Sequence, residues 1–182
     1  MAERLTSLDD IEAAVWRELA NAVNDKQHAW RTPVLATVDG DAADARTVVL
    51  REVDAAQRQL LVYTDTRAPK VAQSTSHPRG TLLMWSAALG WQLRCRVQLV
   101  VEDSGLAVSS RWATLQHSRA ARDYLSPLAP GARLDTQAPT AAQRTHFGVI
   151  TASVLAIDWL ELHPNNHRRA ILEPPSARWI QP

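Results

Sequence analysis

Residues 91–102, Trp-Gln-Leu-Arg-Cys-Arg-Val-Gln-Leu-Val-Val-Glu, alternate apolar and polar side chains for most of their length. In an extended chain this period of two puts Trp91, Leu93, Cys95, Val97 and Leu99 on one face. Gln92, Arg94, Arg96 and Gln98 fall on the other. A helix would scatter both sets around its axis, so the stretch specifies a strand. One face belongs to a core, and the other looks onto a ligand, a second subunit or water.

Other runs of the same kind flank it. Val34 to Val38 ends in the turn signal Asp39-Gly40, and Ala45 to Val53 reads as the next strand. Asp54-Ala55-Ala56-Gln57 turns into Leu60 to Thr64, and Gly80 to Ser86 precedes residue 91. Thr151 to Leu162 reads as a long strand, His163-Pro164-Asn165-Asn166 as a strong turn, and Arg168 to Leu172 as the return. Pro174-Pro175 breaks the chain before Arg178-Trp179-Ile180. Helical spacing appears over 7–23, with Ser7 as N-cap and Leu8, Ile11, Val15 and Leu19 on one face. It appears again over 70–76, stopped before His77-Pro78, and over 104–125, where Ser104 is a cap candidate. Residues 127–139 read as a loop and 140–144 as a short helical turn. Short turns in meander order favour antiparallel pairing of about six or seven short strands. The expected class is mainly β with flanking helices, a partly opened antiparallel barrel.

A chain of 182 residues is expected to form one domain over 1–182, with 1–30 as N-terminal helix and lead-in. The net charge of +1, from 20 basic and 19 acidic side chains, gives no general basic field, so nucleic acid is not an expected partner. Cys95 is the only cysteine, which fits a reducing compartment; on the apolar face it reads as a small core residue. The start, Met-Ala-Glu-Arg-Leu, lacks a signal-peptide pattern, and no apolar run approaches the roughly 18–20 residues of a membrane helix. A cytoplasmic protein is expected. Seven tryptophans stand beside one phenylalanine, and most should be core or interface residues with a polar edge on a partner.

Chemistry concentrates between Arg46 and Arg96. Arg-Thr-Val-Val-Leu-Arg occupies 46–51 and Tyr-Thr-Asp-Thr-Arg-Ala-Pro-Lys occupies 63–70. Thr64, Asp65 and Thr66 are N-cap types, and Pro69 suits a first helical turn. A helix N-terminus flanked by Arg67 and Lys70 is a ready anion site, and phosphate is the usual anion. The alternative is a hairpin with solvated basic residues. There is no Gly-rich phosphate loop of the dinucleotide or nucleotide type. His163 and His167 are four apart, but Pro164 and two asparagines between them make a turn, and no metal site is expected. Asp39, Asp41 and Asp44 lack calcium-loop spacing and read as a solvated hairpin. Nothing around Ser109-Ser110 forms a nucleophile motif, so no catalytic side chain is assigned.

Over most of 30–182 the pattern resembles the pyridoxamine 5′-phosphate oxidase family, the FMN-binding split barrels. Arg46 and Arg51 fit its Arg-x-Val-x-Leu-Lys/Arg strand, and Tyr63-Thr64 its next strand end. Lys70 lies seven residues past Tyr63, Gln92 twenty-two past Lys70, and Trp159 and Arg169 are ten apart, as in the family. No single piece is specific, but five in order at near-fixed spacing are. The resemblance implies an FMN site formed by Arg46, Thr47, Val49, Arg51, Tyr63, Thr64, Arg67, Lys70, Gln92, Trp159 and Arg169. Arg46 and Lys70 would pair with the phosphate, helped by the Thr64 hydroxyl, and Arg67 would stand in for the family's Arg at the place of Pro69. Gln92 would hydrogen-bond the flavin. Trp159 and Arg169 would reach it from the other subunit of a homodimer, and a cation near the ring would tune its potential. Arg51 and His167 would face a small-molecule substrate. Pyridoxamine or pyridoxine 5′-phosphate is one candidate, although Asn165 replaces an expected Arg and the family's Tyr-x-x-x-Arg-x-x-x-Ser segment has no clean match between 104 and 126. A non-catalytic flavin carrier, sensor or electron-transfer protein is the other reading. Deazaflavin and haem proteins share the barrel; Lys70, Gln92, Trp159 and Arg169 favour FMN.

Overall fold

The computed structural model describes residues 4–135 and 146–182, which form a nine-stranded antiparallel sheet with three α-helices. Helix α1 (Leu8–Asn24) is capped by Ser7, whose Oγ accepts from Asp10 N at 3.0 Å. Ile11, Val15, Leu19 and Ala22 form its buried face, the stripe that helical spacing selects. Strands β1 (Val34–Asp39) and β2 (Ala42–Thr47) make the first hairpin. Strands β3 (Leu50–Asp54) and β4 (Gln59–Asp65) make the second. Helix α2 (Pro69–Ser76) follows, then β5 (Arg79–Ser86) and β6 (Trp91–Glu102). Helix α3 (Leu106–Leu115) precedes the long β7 (Phe147–Glu161), and β8 (Arg168–Glu173) and β9 (Ser176–Ile180) close the chain.

Hydrogen bonding orders the strands β2-β1-β5-β6-β7-β4-β3, with β8 and β9 branching from the second half of β7. β6 pairs with β7 from Trp91↔Glu161 to Glu102↔Val149, and the one register shift leaves Leu155 as the extra residue of a bulge. β2 and β3, the two ends of this path, are consecutive in sequence and only Val48-Val49 separates them. Three residue steps span at most about 11 Å. The sheet must therefore roll until its ends nearly meet, giving a barrel joined covalently but split between β2 and β3. Val48 is buried at this seam, its N–H donating to Pro33 O at 2.9 Å, and Leu50 is fully buried behind it. The core runs from the α1 stripe through Trp30, Leu50, Leu93, Ile157 and Trp159. Cys95 lies within it, its thiol pushed up to about 12 by burial.

Several expectations are corrected. The single strand expected over 45–53 is two, because its halves pair with opposite ends of the sheet. The strands accordingly number nine. The helix expected over 104–125 stops at Leu115 and resumes as a 3-10 helix at Arg119–Tyr124. Gly105, at φ 91°, takes the N-cap position in place of Ser104, since the chain enters with a left-handed backbone that favours glycine. The helical turn expected over 140–144 lies outside the described residues. Among the described residues no helix is long and apolar enough to cross a membrane. Because Leu50 plugs the core at the seam, Leu50→Ala should destabilise the protein by about 2–5 kcal/mol, read as a fall in the denaturant midpoint.

Candidate functional site

The mouth of the split carries a cation network. Arg46, opposite Leu35 in the β1–β2 register, donates to Leu35 O at 3.2 Å, Gln73 Oε1 at 2.8 Å and the Asp44 carboxylate. Its Nη1 also donates to Thr37 Oγ1 at 2.5 Å. Thr37 in turn donates to Gln73 Oε1 at 2.7 Å, and Gln73 Nε2 donates to Asp44 at 2.9 Å. Asp44, a partly exposed hairpin residue, is tied into this network; the Gln73 hydrogen bond and the Arg46 charge hold its carboxyl below the usual range. Lys70, in the first turn of α2, has no hydrogen bond or ion pair among the described residues. Burial and then repulsion from Arg46 lower its pKa. Gln73 is three residues on from Lys70 and shares its helix face, a spacing that could have flagged it in sequence. Thr47 ends β2 and is exposed, and Val49 lies half-buried in the link.

Other expected contributors behave differently. The N-cap of α2 is Ala68, with no side-chain cap, rather than Thr64, Asp65 or Thr66. Thr64 is buried and its hydroxyl donates to Asp65 O at 3.0 Å, so it turns away from an incoming phosphate. Asp65 accepts from Arg67 N at 2.8 Å and from its guanidinium at 2.6 and 3.0 Å. Arg67 also donates to Ser126 O at 2.9 Å and to Pro127 O and Leu128 O at 3.3 Å. Arg67 thus pins the 126–128 loop.

On the far side of the barrel the strand pleat decides which side chains meet. Gln92 is opposite Leu160, and Leu160 is opposite Arg169, so the three form one row on the outer face. Trp159 is opposite Leu93 and Ala170 and points into the core, 0% exposed, with Trp91 and Trp179 at 5.4 and 6.2 Å. Its Nε1 has no partner. Within one subunit the register gives Trp159 and Arg169 opposite faces. His167 is exposed in the hairpin, its Nδ1 accepting from His163 N at 3.1 Å, and His163 Nδ1 accepts from Asn165 N at 3.2 Å. Those rings brace a turn, and within one subunit His167 does not meet Arg51.

Arg51 lines a second feature that sequence spacing did not reveal, a cavity of about 570 Å³. Lys26, Tyr63, Arg111, Ser118 and Arg119 share its wall. Arg111 clasps Glu52 at 2.6 and 2.8 Å, and Tyr63 OH donates to the same carboxylate at 2.7 Å. These hydrogen bonds hold Glu52 low, while burial and then Glu52 push the Tyr63 phenol up. Arg51 stacks over the Tyr63 ring at 5.6 Å. Arg51, Lys26 and Arg119 have no ion pair among the described residues, so the cavity wall carries uncompensated positive charge.

Residues 13–103 match the family model for the pyridoxamine 5′-phosphate oxidase FMN-binding domain. The chain belongs to this family. No curated protein matches the sequence. Among solved structures, the fold is similar to that of a pyridoxamine 5′-phosphate oxidase-related, FMN-binding protein from Nostoc punctiforme. That likeness has a TM-score of 0.74 at 21% identity and covers 97% of this chain and 100% of that one. It is also similar to PhzG from Burkholderia lata in complex with tetrahydrophenazine-1-carboxylic acid. There the TM-score is 0.76 at 14% identity, over 100% of this chain and 99% of that one.

The family's cofactor, FMN, fits the split. A half-buried ammonium beside a second cation, with no ion pair of its own among the described residues, is a donor set suited to phosphate. The same imbalance yields a stability prediction. Native burial disfavours protonated Lys70, so the penalty is present below its folded pKa and vanishes above the unfolded one. Lys70→Met should therefore raise the thermal midpoint of the apoprotein at neutral pH, the gain shrinking as pH rises through the lysine range. The same variant should bind FMN more weakly.

Proposed function

We propose that the chain works as one FMN-binding unit in a cytoplasmic homodimer, an oxidoreductase acting on a small anionic molecule. The observation that carries this reading is the cavity beside Arg51, with convergent cations and no carboxylate left free to repel an anion. An enzyme needs such a pocket of converging polar groups, whereas a flavin carrier has no use for one. Trp112, which could have covered a flavin, packs instead against Phe147 and Tyr124.

Bound FMN supplies hydride acceptance at its ring. The chain supplies binding and orientation. Arg46 and Lys70 hold the phosphate at the mouth of the split, and Thr47, Val49 and Arg51 follow along the seam. Gln92 and Arg169, in one row on the outer face, serve a flavin at the interface between subunits; members of this family typically dimerise. Arg51, Arg119 and Lys26 hold the anionic group of the substrate, and Tyr63, kept protonated, presents a flat face and no charge. PhzG in complex with a carboxylic acid agrees with an anionic ligand. Pyridoxamine 5′-phosphate belongs to the same class and is the first substrate to test.

The anaerobic holoprotein is mixed with pyridoxamine 5′-phosphate or with unphosphorylated pyridoxamine, and flavin absorbance is followed. Bleaching by the phosphate ester alone is the expected result. Arg119→Ala should raise its KM about tenfold, the effect of one lost charge-assisted contact, without changing FMN affinity. Equal bleaching by both compounds, or an unchanged KM in the variant, would remove the cationic cavity from the reaction. FMN binding without bleaching by either would set this substrate aside and favour the carrier reading.

A further inference from the structure

Arg169 does not stand alone on the outer face. Asp158 Oδ1 accepts from Arg169 Nε at 2.9 Å and Oδ2 from Nη2 at 2.8 Å, a bidentate clasp. Asp158 Oδ2 also accepts from Arg94 on the adjacent strand. Arg94 lies directly opposite Asp158 in the β6–β7 register, and Arg169 lies one row away, opposite Leu160. The Asp158 side chain is 11% exposed, while the Arg94 and Arg169 side chains are 45% and 27% exposed. A buried anion therefore pulls a partly solvated guanidinium across to a fixed orientation, and it separates two cations that would otherwise repel.

We propose that Asp158 is the positioning residue for Arg169, holding its guanidinium beside the row of Gln92 so that its charge meets the flavin of the neighbouring subunit. This rests on the reading that Arg169 serves the flavin. Arg94 is neutralised by the same carboxylate and keeps Asp158 from turning aside. Without the carboxylate, Arg169 gains rotamer freedom and is repelled by Arg94, so its charge leaves the cofactor. A purely electrostatic role for Asp158 would do the opposite, because removing a negative charge leaves the flavin in a more positive field.

The test compares Asp158→Asn, Arg169→Ala and the double variant as FMN-loaded protein, each first shown to unfold cooperatively. FMN affinity is measured by fluorescence quenching and the flavin midpoint potential by reductive titration. The expected result is an FMN Kd about tenfold weaker in Asp158→Asn, with the potential falling as it does in Arg169→Ala. The double variant should lose no more than Arg169→Ala alone. Should the Asn variant fail to fold, Asp158→Glu keeps the charge but displaces it by one methylene, and should shift both quantities in the same direction. An unchanged affinity, a rise in potential, or additive losses in the double variant would overturn the positioning role. Unchanged values in Arg169→Ala would show that Arg169 itself does not serve the flavin, and the proposal would fall with that reading.

Discussion

The crossing from β2 to β3 constrains everything else. Two strands at opposite ends of the hydrogen-bonded path are tied by Val48-Val49, so the sheet has to curl around the α1 stripe until its ends face one another. The ends do not pair. Edge strands leave backbone donors and acceptors free, normally a liability that proteins cover. Here the split leaves the β2 and β3 edges unpaired with one another, and the chain places Arg46 and Lys70 beside it.

The charges divide into two kinds. Glu161 receives Arg4, Arg168 and Trp91, Asp65 receives Arg67, and Asp158 receives Arg94 and Arg169. All three carboxyls lie below their usual range despite burial, because the hydrogen-bonded guanidiniums outweigh desolvation. Their contribution to stability is present above the ordinary carboxylate range and is lost as pH falls through the lowered values. These pairs fasten hairpins and loops. Among the described residues Lys70, Arg51 and Arg119 have no such carboxylate partner.

Much of the barrel was legible because alternation is a strong signal. Residues 91–102 form the strand that their pattern specifies, and α1 buries the face its spacing selects. The break inside 45–53 was not legible, since no Gly or Pro marks it and only the long-range partners of its halves reveal it. The spacing from Tyr63 to Lys70 singled out a lysine that the fold brings beside Arg46. The ten-residue spacing from Trp159 to Arg169 did not reveal their faces, because the register of the 162–167 hairpin places Ala170 opposite Trp159. Arg67 is tied by Asp65, two residues away, and by carbonyls of 126–128 some sixty residues away, which only the fold brings to it. Lys26, Arg111 and Arg119 are likewise brought to Arg51 only by the fold.

The account rests on Arg46 and Lys70 holding a phosphate, and comparing FMN with riboflavin isolates that group. Both ligands are titrated against the wild type and an Arg46→Ala/Lys70→Ala variant, following flavin fluorescence. The account predicts that the wild type prefers FMN by at least about a hundredfold, two charge-assisted contacts at roughly 1.5–3 kcal/mol each. In the variant the preference should collapse while riboflavin affinity stays the same. A variant that still prefers FMN as strongly as the wild type would contradict the account and move the phosphate away from the split.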